Sequence, residues 1–546
     1  MNTVRNSDYL RPLLAGLSLA TIARLGYLWM LPKPLPGIPH DPMSGIMGNL
    51  PDLVRYMKDD EKNKLDYFHS MIDKHGPLSQ ILLGKACLVI VGDKEEVERL
   101  LLRTKSTEQS TWTRETFGTA IPRGQLALPA NDMWKRHRQL AGPSMSRRYL
   151  QHMSVRASVA AGSLVRLWTR KVELVGEKVF SADNDLKLAV LDMMLSIIMG
   201  DSPASVDIAY SSLPTSPSSL SSDTNLVRIP QSEPPPLHKA MRAVMENIER
   251  MKFSGLPVYI AKIFAQTLAP SWRKSYGMIS DFIDNKVLYA RAQESEISKL
   301  KQGEGLATDA DCVVDMIAQR EAREGAERLP QEELREELMT YVLAGQDTTA
   351  VELAWLVKYL PRDIDLQRRL HEQICAALGP GSDEDGYLDF EILNDSGKVP
   401  LLEAVVAESL RCAQIASNVV RELLNDEVIL GRHIPKGTQL LIPTGRLSAQ
   451  ESDWGPDAKT WRPSRWLRAD GSFDSAAGPS YPFGMGQRAC FGQRMAVLQL
   501  KAFVAALSRA FVFKPLPEDL DDMYVRLLIT RQPKNCYISL EKWPKD

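Results

Sequence analysis

Cysteine is sparse in this sequence and is not arranged for a structural metal or a disulfide framework. Six cysteines occur among 546 residues, no CxxC pair is present, and the spacings are wide and irregular. Zinc sites and disulfide-dense domains require closely spaced cysteines. We therefore expect reduced thiols in a protein that faces the cytosol.

The sequence also lacks a surplus of charge and shows no visible internal repeat. Lysine and arginine number 67 and aspartate and glutamate 68, so the net charge is -1. Nucleic-acid-binding proteins usually carry a strong positive surplus, so no nucleic acid partner is expected. Hydrophobic residues at 44% and charged residues at 25% are typical of a folded globular chain.

One long apolar run occurs near the N-terminus, where residues 13–31 read LLAGLSLATIARLGYLWML. A run of about 19 residues is close to the length that crosses a bilayer core. Arg24 interrupts it, although a long arginine side chain can reach towards a membrane surface. A signal peptide would end at a small-residue cleavage site, whereas a proline-rich segment follows here. We predict a membrane anchor at 1–31 and a Pro-rich spacer at 32–40, with a soluble amphipathic helix as the alternative.

The pattern along the rest of the chain predicts a mainly α fold with small β-sheets, in the α+β class. Strands are predicted at 78–92 (a hairpin), 427–431 and 438–443. Helices dominate from about 93 to 380, and long helices are predicted at 331–360 and 493–511. The Ser/Pro-rich insert at 202–236 cannot bury a core, so a loop or a disordered segment is expected there.

A glycine-rich loop brings a cysteine to the start of a predicted helix. Residues 482–492 read PFGMGQRACFG, and Cys490 directly precedes the helix at 493–511. Unpaired N–H groups and the helix dipole at such a position favour a lowered thiol pKa. A thiolate of this kind can ligate haem iron, whereas a small buried apolar cysteine is the plain alternative. The loop also fits GxGxxA, but no apolar strand precedes it and the next acidic residue is Glu518, which disfavours dinucleotide binding.

Three further segments carry polar groups in unusual places. Residues 344–349 read AGQDTT within the long helix and predict a local distortion that opens onto a cavity, where an acid beside a hydroxyl can relay protons. Glu408 and Arg411 share a helix face at i,i+3 spacing. Trp134 and Arg138 also share a face, and an indole N–H beside a guanidinium suits an anionic carboxylate. Taken singly, each segment also fits an exposed polar or charged helix face.

Together and in this order, the motifs resemble the cytochrome P-450 family of haem-thiolate monooxygenases. The family's haem-binding signature is matched at Phe483, Gly484, Gly486, Arg488, Cys490 and Gly492. Further matches are Trp134 to Arg138, AGxDT at 344–348, Glu408-x-x-Arg411 and WRPSRW at 461–466. The resemblance covers roughly residues 30–546 and implies a single haem domain at 41–546. It departs at Cys412-Ala413-Gln414-Ile415, where the family usually has a proline-containing segment.

The resemblance implies a role for each matched residue. Cys490 would be the axial thiolate ligand of the haem iron, and Phe483 and Gly492 belong to its loop. The positions that hold the haem propionates are matched by Trp134, Arg138, Arg421 and Arg488. A buried ion-pair network that fixes the cysteine loop would consist of Glu408, Arg411 and Arg465. Asp347 and Thr348 would deliver protons during oxygen activation.

Cofactors and partners follow from the same resemblance. The expected cofactor is haem b, and the reaction uses O2. Because the chain shows no flavin or nicotinamide motif, NADPH-derived electrons are expected from a separate cytochrome P-450 reductase, with cytochrome b5 as an optional donor. The expected reaction inserts one oxygen atom into an apolar small molecule, as in fungal secondary-metabolite biosynthesis of terpenoids. The enzyme is expected at the endoplasmic reticulum membrane with its catalytic domain facing the cytosol. A haem-thiolate isomerase or dehydratase and a non-catalytic haem sensor are alternatives, but neither needs the Asp347–Thr348 pair.

Overall fold

The structure is a computed structural model of a mostly helical chain. The residues that it describes are 7–59, 62–217, 221–223, 225–253, 260, 263, 270–300, 310–323, 327–380 and 388–544. In chain order the α-helices are α1 (Ser7–Met30), α2 (Leu50–Tyr56), α3 (Lys64–His75), α4 (Lys94–Glu98), α5 (Thr111–Phe117), α6 (Asp132–Ala141), α7 (Arg147–Val175), α8 (Asp183–Met199), α9 (Ser205–Ser211), α10 (Pro236–Phe253), α11 (Pro270–Leu300), α12 (Val313–Arg323), α13 (Gln331–Tyr359), α14 (Ile364–Leu378), α15 (Phe390–Leu393), α16 (Pro400–Ala413), α17 (Thr444–Leu447), α18 (Glu451–Trp454) and α19 (Gln493–Ala510).

The strands are short and form several small sheets. They are β1 (Leu78–Leu83), β2 (Ala86–Val91), β3 (Thr107–Gln109), β4 (Phe180–Ser181), β5 (Ser221–Asp223), β6 (Leu226–Arg228), β7 (Val419–Leu423), β8 (Glu427–Ile429), β9 (Arg432–Ile434), β10 (Gln439–Ile442), β11 (Phe511–Phe513), β12 (Val525–Leu527), β13 (Arg531–Pro533), β14 (Tyr537–Ile538) and β15 (Leu540–Lys542). A mainly α protein with small sheets was the predicted class, and this part of the prediction is confirmed.

The chain divides into two compact units. The first comprises Met1–Ser110 and Asn418–Leu447, and the second comprises Thr111–Ser417 and Ser448–Asp546. The Glu408 network, the cysteine loop and the polar segment of α13 all belong to the second unit.

A five-stranded sheet in the order β1-β2-β10-β7-β3 forms the core of the first unit. β1 and β2 pair as the predicted antiparallel hairpin, and Gly84 in its turn has φ 57°, which glycine adopts without strain. β10 joins β2 in parallel and β7 antiparallel. The β-branched residues of β2 are fully buried, as expected for strands covered on both faces.

The N-terminal run predicted to be a membrane anchor forms α1, and most of its side chains from Leu14 to Met30 are exposed. Among the helices that the structure describes, none is both long enough and apolar enough to cross a membrane. The prediction of a transmembrane helix is therefore not supported.

Long helices build the second unit around one large hydrophobic core. The predicted helices at 331–360 and 493–511 are present as α13 and α19. α13 packs against α8, and Gly345 lies so close to α8 that an added Cβ would come within 2.2 Å of the Met194 methyl carbon. Trp168 and Trp355 are among the fully buried side chains of this core.

The insert at 202–236 contains more regular structure than its composition predicts. Ser205–Ser211 form α9, and β5 pairs antiparallel with β6. Val206 is buried, and its N–H donates to the Asp192 carboxylate of α8 at 3.0 Å. The prediction of a loop or disordered segment is thus wrong for this part, because tertiary contacts with α8 outweigh a composition poor in apolar residues.

Candidate active site

The cysteine loop is a tight, irregular turn between residues 479 and 492. Gly484 and Gly486 have φ values of 63° and 73°, a region that favours glycine and explains their presence. The Cys490 N–H donates to the Phe483 carbonyl at 2.9 Å, which closes the loop, and Gly492 is the N-cap of α19. The described residues of the loop contain no strand, so the context that a dinucleotide-binding motif requires is missing here.

The Cys490 side chain is exposed, yet the protein around it removes solvent from the sulfur. This burial raises the thiol pKa, while the Gly492 N–H and the Arg138 guanidinium act in the opposite direction. The sequence-based expectation of a lowered thiol pKa is therefore wrong for the protein alone, because desolvation outweighs the helix N-terminus.

Two arginines sandwich Trp134 beside this sulfur. The guanidinium carbons of Arg138 and Arg488 lie 4.8 and 4.6 Å from the centre of the Trp134 ring. Arg138 also lies 5.3 Å from the Phe491 ring and donates to the Ala489 carbonyl at 2.9 Å. Arg488 donates to the Leu128 carbonyl at 2.8 Å. The predicted helix face of Trp134 and Arg138 is thus brought directly against the cysteine loop.

Arg138 is a half-buried cation that pairs directly with no carboxylate among the described residues, although Glu337 is close enough to favour its charged form. Its Nε is buried and finds no hydrogen-bond partner within the residues that the structure describes. Burial lowers its pKa, which shows that the surroundings disfavour the charged guanidinium. An anionic group bound here would remove this cost.

Glu408 is the centre of a buried network of charges. Its carboxylate accepts two hydrogen bonds from Arg411 at 2.8 Å and one from Arg465 Nε at 2.9 Å. The Trp466 indole N–H and the Arg462 backbone N–H also donate to it at 2.9 Å. The side chains of Glu408 and Arg411 are 0% exposed and that of Arg465 is 4% exposed. The three residues named from the sequence are therefore in direct contact.

Two chains of contacts connect this network to the cysteine loop. Arg411 donates to the Ser448 carbonyl at 3.2 Å, and the Ser448 hydroxyl accepts from the Tyr481 N–H at 3.0 Å. Arg465 donates to the Trp454 carbonyl at 3.1 Å, and the Trp454 indole donates to the Pro479 carbonyl at 3.1 Å. Tyr481 and Pro479 lie just before the loop, so the ion pairs fix where the loop begins.

The polar segment 344–349 does not break its helix. α13 is continuous, and the Thr348 hydroxyl donates to the Ala344 carbonyl at 2.8 Å. The prediction of a distorted helix is wrong, because this back-bond satisfies the hydroxyl within the helix. Residues 344–348 are nevertheless only partly buried, although the flanking turns of α13 are mostly buried.

The Asp347 side chain contacts residues from the C-terminal part of the chain. Its carboxylate accepts hydrogen bonds from the Thr530 hydroxyl at 2.8 Å and from the Gln532 amide at 3.4 Å. Burial raises its pKa, and the Thr530 hydrogen bond and Lys187 counteract part of the rise. Neither Thr530 nor Gln532 was identified from the sequence, where 183 and 185 positions separate them from Asp347.

A second group that the sequence motifs did not reveal lies behind the cysteine loop. His137 is fully buried between Glu337 at 3.1 Å and Glu333 at 3.4 Å. Burial lowers the His137 pKa, but the two carboxylates outweigh it, and the pKa is raised. Tyr341 stacks on Phe491 at 5.6 Å between ring centres, next to Cys490. A histidine three positions after Trp134 was the available signal for this group.

Arg421, the remaining residue of the predicted propionate set, lies in the first unit. It is buried on β7 and donates to the Gln109 side chain at 3.2 Å. Its part in a common site stays a prediction.

The segment that departs from the family pattern follows α16. Gln414 has a left-handed backbone with φ 49°, which turns the chain without a proline. The Arg531 backbone N–H donates to the Ile415 carbonyl at 2.9 Å, and its guanidinium donates to the Ala413 carbonyl at 2.6 Å. Arg531 therefore holds the turn that a proline would otherwise restrict.

The residues of the second unit fit a haem. Cys490 offers an accessible sulfur, and Arg138 and Arg488 offer guanidinium groups on the same side of the loop, beside Trp134. A porphyrin that carries carboxylates would supply a hydrogen-bond acceptor for the Arg138 Nε, which has no partner among the described residues.

Comparison with known proteins gives a consistent assignment. The family model described as "Cytochrome P450", here written P-450, matches residues 39–540. The cytochrome P-450 monooxygenase GME11363 of Pestalotiopsis microspora is 28% identical over 93% of this chain and 94% of that protein. The cytochrome P-450 monooxygenase TRI13 of Fusarium sporotrichioides is 27% identical over 94% of this chain and 96% of that protein. The cytochrome P-450 monooxygenase xilC of Penicillium crustosum is 25% identical over 94% and 93%.

The substitution Glu408→Gln tests the buried network. The amide leaves Arg411 buried without a counter-charge and leaves Arg465 with only the more exposed Asp457, so we expect the free energy of unfolding to fall by about 3–5 kcal/mol. Chemical denaturation followed by tryptophan fluorescence measures the loss. Asp457→Asn is the matched control, since it removes a more exposed partner of the same Arg465, and only a small loss is expected. Equal losses in the two variants would contradict the central place of Glu408.

Proposed function

The chain belongs to the cytochrome P-450 family, and we propose that it is a haem-thiolate monooxygenase that inserts one atom of O2 into an apolar small molecule. The observation that carries the site assignment is the accessible Cys490 sulfur beside the half-buried Arg138, whose Nε has no hydrogen-bond partner among the described residues. The match over residues 39–540 supports a haem domain at 41–546, which follows the N-terminal helix and the spacer at 32–40.

Cys490 would ligate the iron, and Trp134, Arg138 and Arg488 would hold the propionates. Bound haem supplies the activation of dioxygen with electrons from a donor. The contributions of the chain are to place the sulfur at the end of the 483–490 turn, to neutralise the carboxylates and to limit water around the thiolate. We propose Arg421 as a further propionate ligand.

Asp347 and Thr348 would handle the protons that oxygen activation consumes. Thr348 keeps its hydroxyl on the Ala344 carbonyl at 2.8 Å and can turn it towards the site by giving up that single bond. Asp347 is buried one residue away with a raised pKa, so it exchanges protons more readily near neutral pH than a solvated aspartate. An isomerase or a haem sensor has no use for such a pair.

The substrate proposal is an apolar compound of fungal secondary metabolism, such as a terpenoid. Support comes from the apolar side chains in the segments expected to line the pocket of the second unit, namely Trp112, Phe117, Ile121 and Ile415. The three similar proteins described above also come from fungi. Feeding candidate precursors and analysing products by mass spectrometry identifies the substrate.

A separate NADPH–cytochrome P-450 reductase is proposed as the electron donor, with cytochrome b5 as an optional second donor. The chain shows no flavin or nicotinamide motif of its own. Substrate turnover by the purified protein with NADPH alone, at the rate seen with reductase, would exclude this partner.

We propose that α1 attaches the protein to the endoplasmic reticulum membrane, with the catalytic unit on the cytosolic side. The support is its row of exposed apolar side chains, which includes Leu17, Ile22 and Trp29. The full chain is expected in the microsomal pellet, and a variant that lacks 1–31 in the soluble fraction. Extraction by alkaline carbonate then separates surface attachment from insertion, and protease sensitivity of intact microsomes reports the orientation. A full chain that stays soluble would contradict the proposal.

Cys490→Ala tests the iron ligand. Without the thiolate, the reduced carbon monoxide complex is expected to lose the red-shifted Soret band that is typical of the family. Absorption difference spectra measure this, and Cys375→Ala is the control because that thiol lies on α14, away from the loop. Retention of the band in Cys490→Ala would refute the ligand assignment.

Thr348→Ala tests proton delivery. Loss of the hydroxyl is expected to lower the ratio of product to NADPH consumed, with more peroxide released, because protons no longer arrive at the right place. Product, NADPH and peroxide are measured together in the presence of reductase. Thr348→Ser should restore most of the ratio, and an unchanged ratio in Thr348→Ala would remove Thr348 from the pathway.

A further inference from the structure

The turn between β12 and β13 contacts α13, the helix that carries Asp347 and Thr348. Thr530 precedes β13 and donates its hydroxyl hydrogen to Asp347 Oδ2 at 2.8 Å. The Gln532 amide donates to Asp347 Oδ1 at 3.4 Å and to the Thr530 oxygen at 3.0 Å. Both oxygens of the carboxylate are therefore engaged by side chains from a single short strand, and Thr530 and Gln532 are buried.

Arg531, between these two residues, keeps the strand in place. Its side chain points the other way, to the Ala413 carbonyl at 2.6 Å, and stacks on Trp355 of α13 at 4.6 Å. The Trp355 indole donates to the Arg531 carbonyl at 2.8 Å. Because the alternate residues of a strand face opposite sides, an anchored Arg531 holds Thr530 and Gln532 towards Asp347.

The other charges near Asp347 come from α8. Lys187 favours the ionised carboxylate and Asp183 disfavours it, and these two form an ion pair with each other at 2.8 Å. Their opposite effects partly cancel. The neutral donors Thr530 and Gln532 thus provide the direct contacts that stabilise the ionised form.

We propose that Thr530 and Gln532 are positioning residues for proton delivery, which hold the Asp347 carboxylate in one orientation as a hydrogen-bond acceptor. This inference rests on the proposed monooxygenase function. In each cycle a proton leaves the Asp347 carboxyl towards the site and a proton from solvent replaces it, so the carboxyl group passes through its ionised acceptor form every time. The two donors stabilise that form and bring the carboxylate back to the same place.

Infrared spectroscopy of the resting, haem-loaded protein tests the inference directly. The C=O stretch of the protonated Asp347, identified by its loss in Asp347→Asn, is followed as a function of pH. Removal of a donor destabilises the ionised form, so Thr530→Val should move the titration midpoint upwards by about one pH unit. Gln532→Leu should move it in the same direction but less, since its contact is longer. Thr530→Ser should restore the wild-type midpoint.

Thr340→Val is the matched control. It is the same near-isosteric change at a buried threonine of α13, whose hydroxyl donates to the Glu336 carbonyl of its own helix. It should leave the Asp347 midpoint unchanged, and haem content reports whether each variant is folded. A Thr530→Val midpoint equal to that of Thr340→Val would overturn the inference, and so would a Gln532→Leu midpoint that stays at the wild-type value.

Turnover provides the second readout and separates this inference from the proposed function. With reductase and NADPH, Thr530→Val should lose coupling relative to wild type most strongly between the wild-type and the shifted midpoint, and regain it as the pH is raised through the shifted midpoint. A loss of coupling that is independent of pH would indicate a merely structural role and would overturn the inference. If the wild type forms no oxygenated product with any precursor, the monooxygenase proposal fails, whereas the infrared midpoints still decide whether Thr530 and Gln532 control Asp347.

Discussion

The buried carboxylate of Glu408 is the interaction on which the geometry of the cysteine loop depends. It is surrounded by donors from Arg411, Arg465, Trp466 and the Arg462 backbone, and the guanidiniums use their remaining N–H groups on main-chain carbonyls. A charge buried without partners costs several kcal/mol, so the segment from 448 to 466 cannot shift relative to α16 without stranding one of these groups. Since this segment in turn contacts Tyr481 and Pro479, the position of the loop is set by electrostatics some distance from its sulfur.

The cysteine loop itself has the opposite electrostatic character. Around Glu408 every charge is matched, whereas the half-buried Arg138 has an Nε without a partner among the described residues, and burial disfavours the thiolate form of Cys490. Both costs are removed by one ligand that brings a cationic metal to the sulfur and an anionic carboxylate to the guanidinium. Binding free energy of this kind adds to the stability of the folded state, because the unfolded chain cannot assemble the site.

Patterns within short stretches of sequence predicted the hairpin and the long helices. Contacts between residues distant in sequence account for the features that the sequence did not predict. The hairpin at 78–92 and the helices α13 and α19 follow from periodicity and turn residues that lie within a few positions of one another. The contact of Asp347 with Thr530 joins residues 183 positions apart, and only the fold brings them together. The direction of the Cys490 pKa shift was mispredicted for the same reason, since the helix N-terminus is visible in the sequence but the burial is not. The short helix α9 likewise depends on α8 and not on its own composition.

The surroundings of Asp347 explain why this acid is suited to a proton relay. Burial favours its neutral form and raises its pKa, and the hydroxyl of Thr530 counteracts part of this rise by favouring the ionised form. A carboxyl group whose pKa is raised in this way is better suited to give and take a proton near neutral pH than a solvated aspartate, which is the requirement for a relay. Glu352, further along α13, is fully buried, its oxygens find no hydrogen-bond donor among the described residues, and burial raises its pKa to about 8 despite the nearby Arg531. The difference between these two acids on one helix is the pair of donors from the β12–β13 turn, which makes Asp347 and not Glu352 the group suited to proton exchange.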